Sequence, residues 1–148
     1  MKIAIASDHA GFEAKQQLIR YLTEKGCDVT DFGTNSNESC DYPDFAVKCA
    51  DSVADKSNDY GILICGTGIG MSICANKVKG IRCANCSEEF STQMTREHND
   101  ANILALGARV ITVDKMKKLI DIFLNTPFSN QENHIRRINK ITQTENLY

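Results

Sequence analysis

Cys65 is the side chain around which chemistry can most readily be built, because of what precedes and follows it. Ile62-Leu63-Ile64 is a short apolar run that leads directly into Cys65. Gly66-Thr67-Gly68-Ile69-Gly70 then places glycine at every second position ahead of a helical segment, Met71 to Lys77. Strand, glycine loop and helix is how α/β proteins offer backbone N–H groups and a positive helix end to an anion. Free cysteines are commonly buried and inert, but a thiol beside a helix start and open N–H groups stands in the surroundings that make sulfur reactive. A base or nucleophile next to an anion site suits chemistry on an anionic substrate or intermediate.

The loop admits three readings. As a dinucleotide site it has GxGxG rather than GxGxxG and follows the third strand instead of the first. Glu88 nevertheless lies after the next strand, where a ribose-binding acid is expected. As a Walker loop it fails, since no Gly-Lys-Ser/Thr follows. As a nest of N–H donors for an oxyanion it fits. One tight turn accounts for one glycine, hardly for three alternating ones.

Sites in parallel α/β sheets lie beyond the carboxyl ends of the strands. Asp8 and His9 follow the first strand, His98 and Asn99 come just before the fifth, and Arg109 follows it. Each has a plainer alternative: Asp8 as a turn or cap residue, Thr67 as a loop residue, His98 as the polar end of a helix face. Arg136 and Arg137 read equally as a solvated face of the last helix. Cys27, Cys40, Cys49, Cys74 and Cys83 read as packing or surface thiols. Cys83 and Cys86 form one CxxC without a second pair at zinc-ligand spacing, so no metal site is expected.

These residues need a scaffold, and the hydrophobic pattern supplies one. Lys2 to Ala6 is a strand, and Ala14, Leu18, Ile19 and Leu22 recur at helical spacing up to Gly26. Asp28 to Phe32 is a second strand, and Pro43 opens a helix lined by Phe45, Cys49 and Val53. After the third strand, Ile81 to Cys86 is a fourth, with Ser87 capping a helix that carries Phe90 and Met94 on its apolar face. Ile103 to Leu106 is the fifth strand, and Val113, Met116, Ile120, Phe123 and Leu124 mark a long amphipathic helix. Ser129 and Glu132 have capping-box spacing for a last helix with Ile135, Ile138 and Ile141 on one side, and Thr142 to Tyr148 reads as a loose tail. Strands alternating with helices give a parallel sheet between helix layers.

At 148 residues the chain is one domain, 1–148, with an ordinary 42% hydrophobic and 24% charged composition. A net charge of −2 gives no reason to expect nucleic acid or an anionic membrane surface as partner. No apolar run reaches membrane-span length, and the first residues run straight into a strand. With seven cysteines and no export signal, free thiols and a cytoplasmic location are expected.

Several separate motifs together resemble one family. Ser7-Asp8-His9-Ala10-Gly11-Phe12, Asp41-Tyr42-Pro43, the Cys65–Gly70 loop, Gly80-Ile81-Arg82 and Glu97-His98-Asn99-Asp100 look like type B ribose-5-phosphate isomerase, in order and at near-family spacing to about Ile141. The resemblance implies a three-layer Rossmann-like α/β sandwich with strand order 2-1-3-5-4 and a C-terminal helix. It also implies a homodimer, alone or as a dimer of dimers, with sites at the subunit interface. The reaction it implies is a cofactor-free aldose–ketose isomerisation of ribose 5-phosphate and ribulose 5-phosphate. The residue matching Cys65 removes the C2 proton as general base. The N–H groups from Gly66, Gly68, Ile69 and Gly70 hold the enediolate, and the residue matching Thr67 assists proton movement. His98, from the partner subunit with Asn99 and Arg109, helps open the sugar ring. Asp8 and Tyr42 contact the sugar, while His9 and Arg137 bind phosphate. A hexose 6-phosphate isomerase (galactose or allose 6-phosphate) is the near alternative, and a non-catalytic sugar-phosphate binding protein is the alternative from another class.

One segment departs from the family pattern. The family reads Gly-Gly-Arg-His before the last helix, whereas this chain has Gln131-Glu132-Asn133-His134, with an extra residue just upstream. Asn133 thus stands four positions ahead of Arg137, where the family has arginine. Arg136 is the only nearby replacement, but neighbouring helix positions point roughly 100° apart. Weaker phosphate binding is expected, with a bearing on the preferred substrate.

Overall fold

A computed structural model describes residues 1–148. Alternation within the central strands sets its architecture. In β1 (Lys2–Ser7), Ile3 and Ile5 face one side of the sheet and Ala4 and Ala6 the other, and all four are fully buried. The same division holds for Ile62 and Ile64 against Leu63 and Cys65 in β3 (Tyr60–Cys65), and for Leu104 and Leu106 against Ile103 and Ala105 in β5 (Ile103–Gly107). Strands apolar on both faces need a helix layer on each, which is the signature of a parallel sheet.

With β2 (Asp28–Asp31) and β4 (Cys83–Asn85) as short edges, the sheet is parallel throughout in the order β2-β1-β3-β5-β4. The expected fourth strand, Ile81 to Cys86, is thus trimmed to three residues, and the second ends at Asp31. Helices α1 (Phe12–Glu24) and α5 (Val113–Asn125) cover one face through Leu18, Leu22, Met116, Leu119, Ile120 and Phe123. Helices α2 (Pro43–Ala54) and α3 (Ile69–Ala75) cover the other through Ala46, Cys49, Ala50, Val53, Met71 and Ala75. Burial within the second layer pushes the Cys49 thiol up to about 12, which marks it as an inert packing thiol.

A buried cation ties the first layer to the sheet. Lys15 on α1 is fully buried and its Nζ lies 2.5 Å from Asp31 Oδ2 at the end of β2. Asp31 Oδ1 also accepts the Gly33 N–H, so one carboxylate fixes both the helix and the start of the following loop.

Helix α4 (Glu89–Asn99) corrects two expectations. Its cap is Glu88, not Ser87: the Glu88 carboxylate accepts the N–H groups of Phe90 and Ser91 at 2.7 Å, and the bonds to Ser91 chiefly hold it below the usual carboxylate range. Phe90 is 71% exposed, and the helix buries Thr92 and Arg96 instead. Arg96 can go inside because both terminal nitrogens of its guanidinium find partners there, while its Nε is left without one. It donates to Asp100 Oδ1, the Ala101 carbonyl and Tyr60 Oη, and lies over the Tyr60 and Phe123 rings.

Helix α6 (Glu132–Thr144) also starts differently. The Ser129–Glu132 capping box does not form, because Ser129 Oγ bonds the His134 ring at 2.6 Å and accepts the Gln131 N–H. The expected loose tail is shorter than Thr142 to Tyr148: the helix runs through Thr144, and Glu145 Oε1 accepts the Gly80 N–H at 3.0 Å. Only His134 is buried on this helix, and Ile135 and Ile141 are 41% and 46% exposed. No helix of the chain is long and apolar enough to cross a membrane.

Candidate active site

At the carboxyl end of β3 the chain must leave a sheet whose neighbours, β1 and β5, continue beside it. It does so tightly. Gly68 takes φ +80°, and its Cα approaches both the Leu106 backbone and Asn85 so closely that a Cβ would stand 3.0 and 2.5 Å from them. That turn folds the loop back over the strand end, so the Gly68 N–H donates to Cys65 Sγ at 3.1 Å. Cys65 is 5% exposed, and its side chain lies on the α2/α3 face beside Met71.

Four other N–H groups of the loop and of the first turn of α3, those of Gly66, Thr67, Gly70 and Met71, donate to no group of the chain. The Ile69 N–H is taken by Thr67 Oγ1 at 3.2 Å, which leaves the Thr67 hydroxyl proton free to donate outward. Of the expected loop donors, Ile69 thus has its N–H engaged within the chain, whereas the N–H of Met71, which the sequence reading did not name, is open.

Two side chains enclose this array. Tyr42, the residue just before α2, lays its ring against Gly70, 2.7 Å from where a Cβ would be. Arg109, after β5, sets its guanidinium beside Gly66, with Nη1 3.3 Å from the corresponding position. The Arg109 N–H donates to the Gly66 carbonyl at 2.9 Å, which ties the two backbones together. A positive charge beside open N–H donors is the environment that lowers the energy of a developing oxyanion.

The turn after β1 reaches the same edge. Asp8 is 7% exposed, and its Oδ1 accepts the Ala10 and Gly11 N–H groups at 2.9 and 3.2 Å. The turn-residue reading of Asp8 is therefore correct for one oxygen, while Oδ2 makes no bond within the chain. His9 Nδ1 accepts the Cys40 N–H at 3.3 Å, which leaves Nε2 as the ring's donor.

His98 and Asn99 do not join this group within one chain. Helix α4 runs against the strand direction, from the carboxyl end of β4 back to the start of β5. Ile103 pairs with Gly61, and Gly107 pairs with Cys65. Four residues of strand therefore separate the level of Cys65 from that of Ile103, roughly 13 Å, and His98 comes five residues earlier still. Arg82 holds this far end through Nε to the Asn99 carbonyl and Nη2 to the Asp100 carbonyl, both 2.9 Å. Arg109, expected alongside His98 and Asn99, belongs instead to the Cys65 edge of its own chain.

At the far edge His98 meets His134, with ring centroids 4.4 Å apart and planes tilted by 36°. Burial holds His134 below the usual histidine range, and the positive charges of His98 and Arg137 add to that. Arg137 thus clusters with the two histidines. Arg136 projects from another side of α6, into a shallow groove with Ile135, Asn139 and Lys140. His134 was not singled out from its sequence position. The only signal was its place in the segment that departs from the family pattern.

Comparison with known proteins agrees with this geometry. The model of the family described as Ribose/Galactose Isomerase matches residues 3–141. The chain is 45% identical over 144 residues to ribose-5-phosphate isomerase B of Escherichia coli, covering 97% of this chain and 96% of that one. The structure of ribose-5-phosphate isomerase B from Clostridium thermocellum superposes with a TM-score of 0.98 at 49% identity, covering 100% of this chain and 99% of that one. The enzyme of the same name from Mycoplasma genitalium, solved with bound ribulose-5-phosphate, gives a TM-score of 0.95 at 42% identity, covering 99% and 97%. With a family model matching residues 3–141 and relatives agreeing in fold over nearly the full length, this chain belongs to the ribose/galactose isomerase family.

Proposed function

We propose that this sugar-phosphate isomerase interconverts ribose 5-phosphate and ribulose 5-phosphate through an enediolate, with Cys65 as the general base. The observation that carries the reading is Cys65 Sγ held by the Gly68 N–H beside a row of unengaged N–H groups. Cys65 takes the proton from C2 of the open-chain aldose. The negative charge that moves onto the carbonyl oxygen is met by the loop N–H groups and by Arg109. Thr67 passes a proton between the two oxygens, and the proton held by Cys65 returns to C1 to give the ketose. Base and oxyanion donors act on adjacent atoms, as proton abstraction next to a carbonyl requires. Asp8 and Tyr42 contact the sugar, and its phosphate is bound by His9 Nε2 and by Arg137, which lies with His98 and comes with it from a second copy of the chain.

Ring opening is assigned to His98 with Asn99, supplied by a second copy of the chain, since a single chain keeps them at the opposite edge. One surface supports a homodimer. Ile69 and Ile73, one helical turn apart beside the catalytic loop, are 52% and 58% exposed. The reading covers them with the second copy that brings His98 and Asn99 to the loop.

The test is isomerisation in deuterium oxide, with ribose 5-phosphate as substrate and allose and galactose 6-phosphates for comparison. Deuterium entering at C2 of recovered ribose 5-phosphate, and its loss in Cys65→Ser with turnover down ~10²–10⁴-fold, is the expected result. Near wild-type exchange in Cys65→Ser would remove Cys65 as the base. A preference for either hexose phosphate would replace the substrate assignment.

A further inference from the structure

We propose that His134 is a positioning residue for His98: its buried ring, anchored to Ser129, stacks on His98 and fixes the orientation in which His98 handles the ring-opening proton. The inference rests on the assignment of His98 to ring opening made above.

The geometry that supports it is local and specific. His98, on the last turn of α4, is half-buried, and its ring stands 4.4 Å from that of His134 at a 36° tilt. The His98 ring makes no hydrogen bond within the chain, so its χ angles depend on packing alone. His134 is 7% exposed and is held from two directions. Its N–H donates to the Gln131 carbonyl at 3.0 Å, at the start of α6, and its Nδ1 lies 2.6 Å from Ser129 Oγ. Ser129 is in turn tied to α4, since its N–H donates to the Glu97 carbonyl at 3.0 Å. The anchor therefore begins one residue from His98 and returns to it through Ser129 and His134.

Ser129 Oγ accepts the Gln131 N–H at 3.2 Å and keeps both its proton and a second lone pair for His134 Nδ1, so the bond anchors the ring whichever atom donates. Burial above all opposes a proton on His134, and the charges of His98 on α4 and Arg137 on α6 oppose it further, against Glu97, which favours one. A neutral, fixed ring can orient its neighbour without competing for the proton that His98 must move.

Four variants, His98→Asn, His134→Asn, His134→Phe and Ser129→Ala, are each assayed in both directions, with ribose 5-phosphate (mostly cyclic) and with ribulose 5-phosphate (open-chain). Misplacing a reacting group by about 1 Å costs on the order of a hundredfold. His134→Asn is therefore expected to lower kcat for ribose 5-phosphate roughly ten- to a hundredfold, with KM little changed and ribulose 5-phosphate turnover near wild type. His134→Phe, which keeps a flat ring without the anchor, should recover part of the loss, and Ser129→Ala should show a milder imbalance of the same sense. A purely structural role would lower both directions together, and equal losses or none would overturn the proposal. Should His134→Asn fail to fold, an unchanged ratio of the two rates in Ser129→Ala and His134→Phe overturns it equally well. His98→Asn separates the two layers of argument. Without a directional imbalance in that variant, the ring-opening assignment fails and this inference falls with it. An imbalance in His98→Asn that the His134 variants do not share defeats the positioning role alone.

Discussion

Cys65 and His98 stand at opposite edges of one sheet: Cys65 is level with Gly107 at the end of β5, and His98 precedes the strand's first residue, Ile103, by five positions. Residues so placed act on one substrate only if two chains share the work. Mixing Cys65→Ser and His98→Asn chains, each nearly inactive alone towards ribose 5-phosphate, should then restore activity on that substrate. In a heterodimer one site combines both lesions, and the other has an intact Cys65 from one chain and an intact His98 from its partner. Random pairing at equal amounts predicts recovery of about one quarter of wild-type activity. Co-expression of differently tagged chains and assay of the purified mixture provides the measurement. No gain over the separate variants would place both residues in one chain's site, or His98 in none.

The three loop glycines predict a graded series, because what a Cβ would meet differs at each. At Gly68 it meets the Leu106 backbone at 3.0 Å and Asn85 Oδ1 at 2.5 Å, with φ at +80°, so neither neighbour nor backbone accommodates it easily. Gly68→Ala should displace the N–H that points at Cys65 and lower kcat on the order of 10²–10³-fold, as loss of an oxyanion-hole donor does. At Gly70 the obstacle is the Tyr42 ring, which is 39% exposed and free to swing outward. Gly70→Ala should therefore act mainly on KM, by moving a sugar-contacting residue. At Gly66 the neighbour is the flexible end of Arg109 at 3.3 Å, and the effect should be smallest. Steady-state kinetics of the three variants test the order Gly68, Gly70, Gly66, and a reversed order would show that loop geometry does not govern the chemistry.

How much of this was legible beforehand depended on whether a feature is local. β3, its glycine loop and α3 could be read from a short stretch, because apolar run, alternating glycines and helix start are neighbours in sequence. Phe90 was misplaced for the opposite reason, and the burial of Arg96 was not foreseen. Helical periodicity puts an aromatic inside, and it cannot register that Tyr60, Phe123 and the Ala101 carbonyl, from three other segments, together hold a buried guanidinium. Ser129 failed likewise: a side chain with capping-box spacing found another partner in the His134 ring. The edge on which His98 falls followed from the antiparallel course of α4, and listing residues near strand ends without the direction of travel concealed it.

Folding should depend on pH through His134. Burial, with the charges of His98 and Arg137, lowers its affinity for a proton in the folded chain relative to the unfolded one. The unfolded state then binds more protons over the window just below the ordinary histidine value of about 6.5. By linkage, the stabilising contribution is fully present above that value and is lost as pH falls towards the lowered folded value. Thermal melts at pH 7.5 and at progressively lower pH should show a falling midpoint, and His134→Phe, which cannot titrate, should flatten that dependence. Equal slopes in the two proteins would mean that His134 is not protonated differently on unfolding.

The phosphate end of the site yields the final expectation. Asn133 is the second residue of α6 and half-buried, one position before His134 and one helical turn from Arg137. In the family pattern an arginine stands here, and a guanidinium binds phosphate through charge-assisted, often bidentate hydrogen bonds that an amide cannot match. A lost charged contact is worth about 1.5–3 kcal/mol, roughly ten- to a hundredfold in affinity. Arg136 does not make up the loss, because it projects into the groove with Ile135, Asn139 and Lys140, away from the cluster of Arg137 with His98 and His134. Asn133→Arg should therefore lower KM for ribose 5-phosphate, Arg137→Ala should raise it sharply, and Arg136→Ala should leave it nearly unchanged. His9→Ala, which removes a neutral donor rather than a full charge, should fall between the two Arg variants. If Arg136→Ala instead raises KM as much as Arg137→Ala while Asn133→Arg has no effect, then Arg136 already supplies the missing charge, and its side chain turns towards the phosphate when substrate binds.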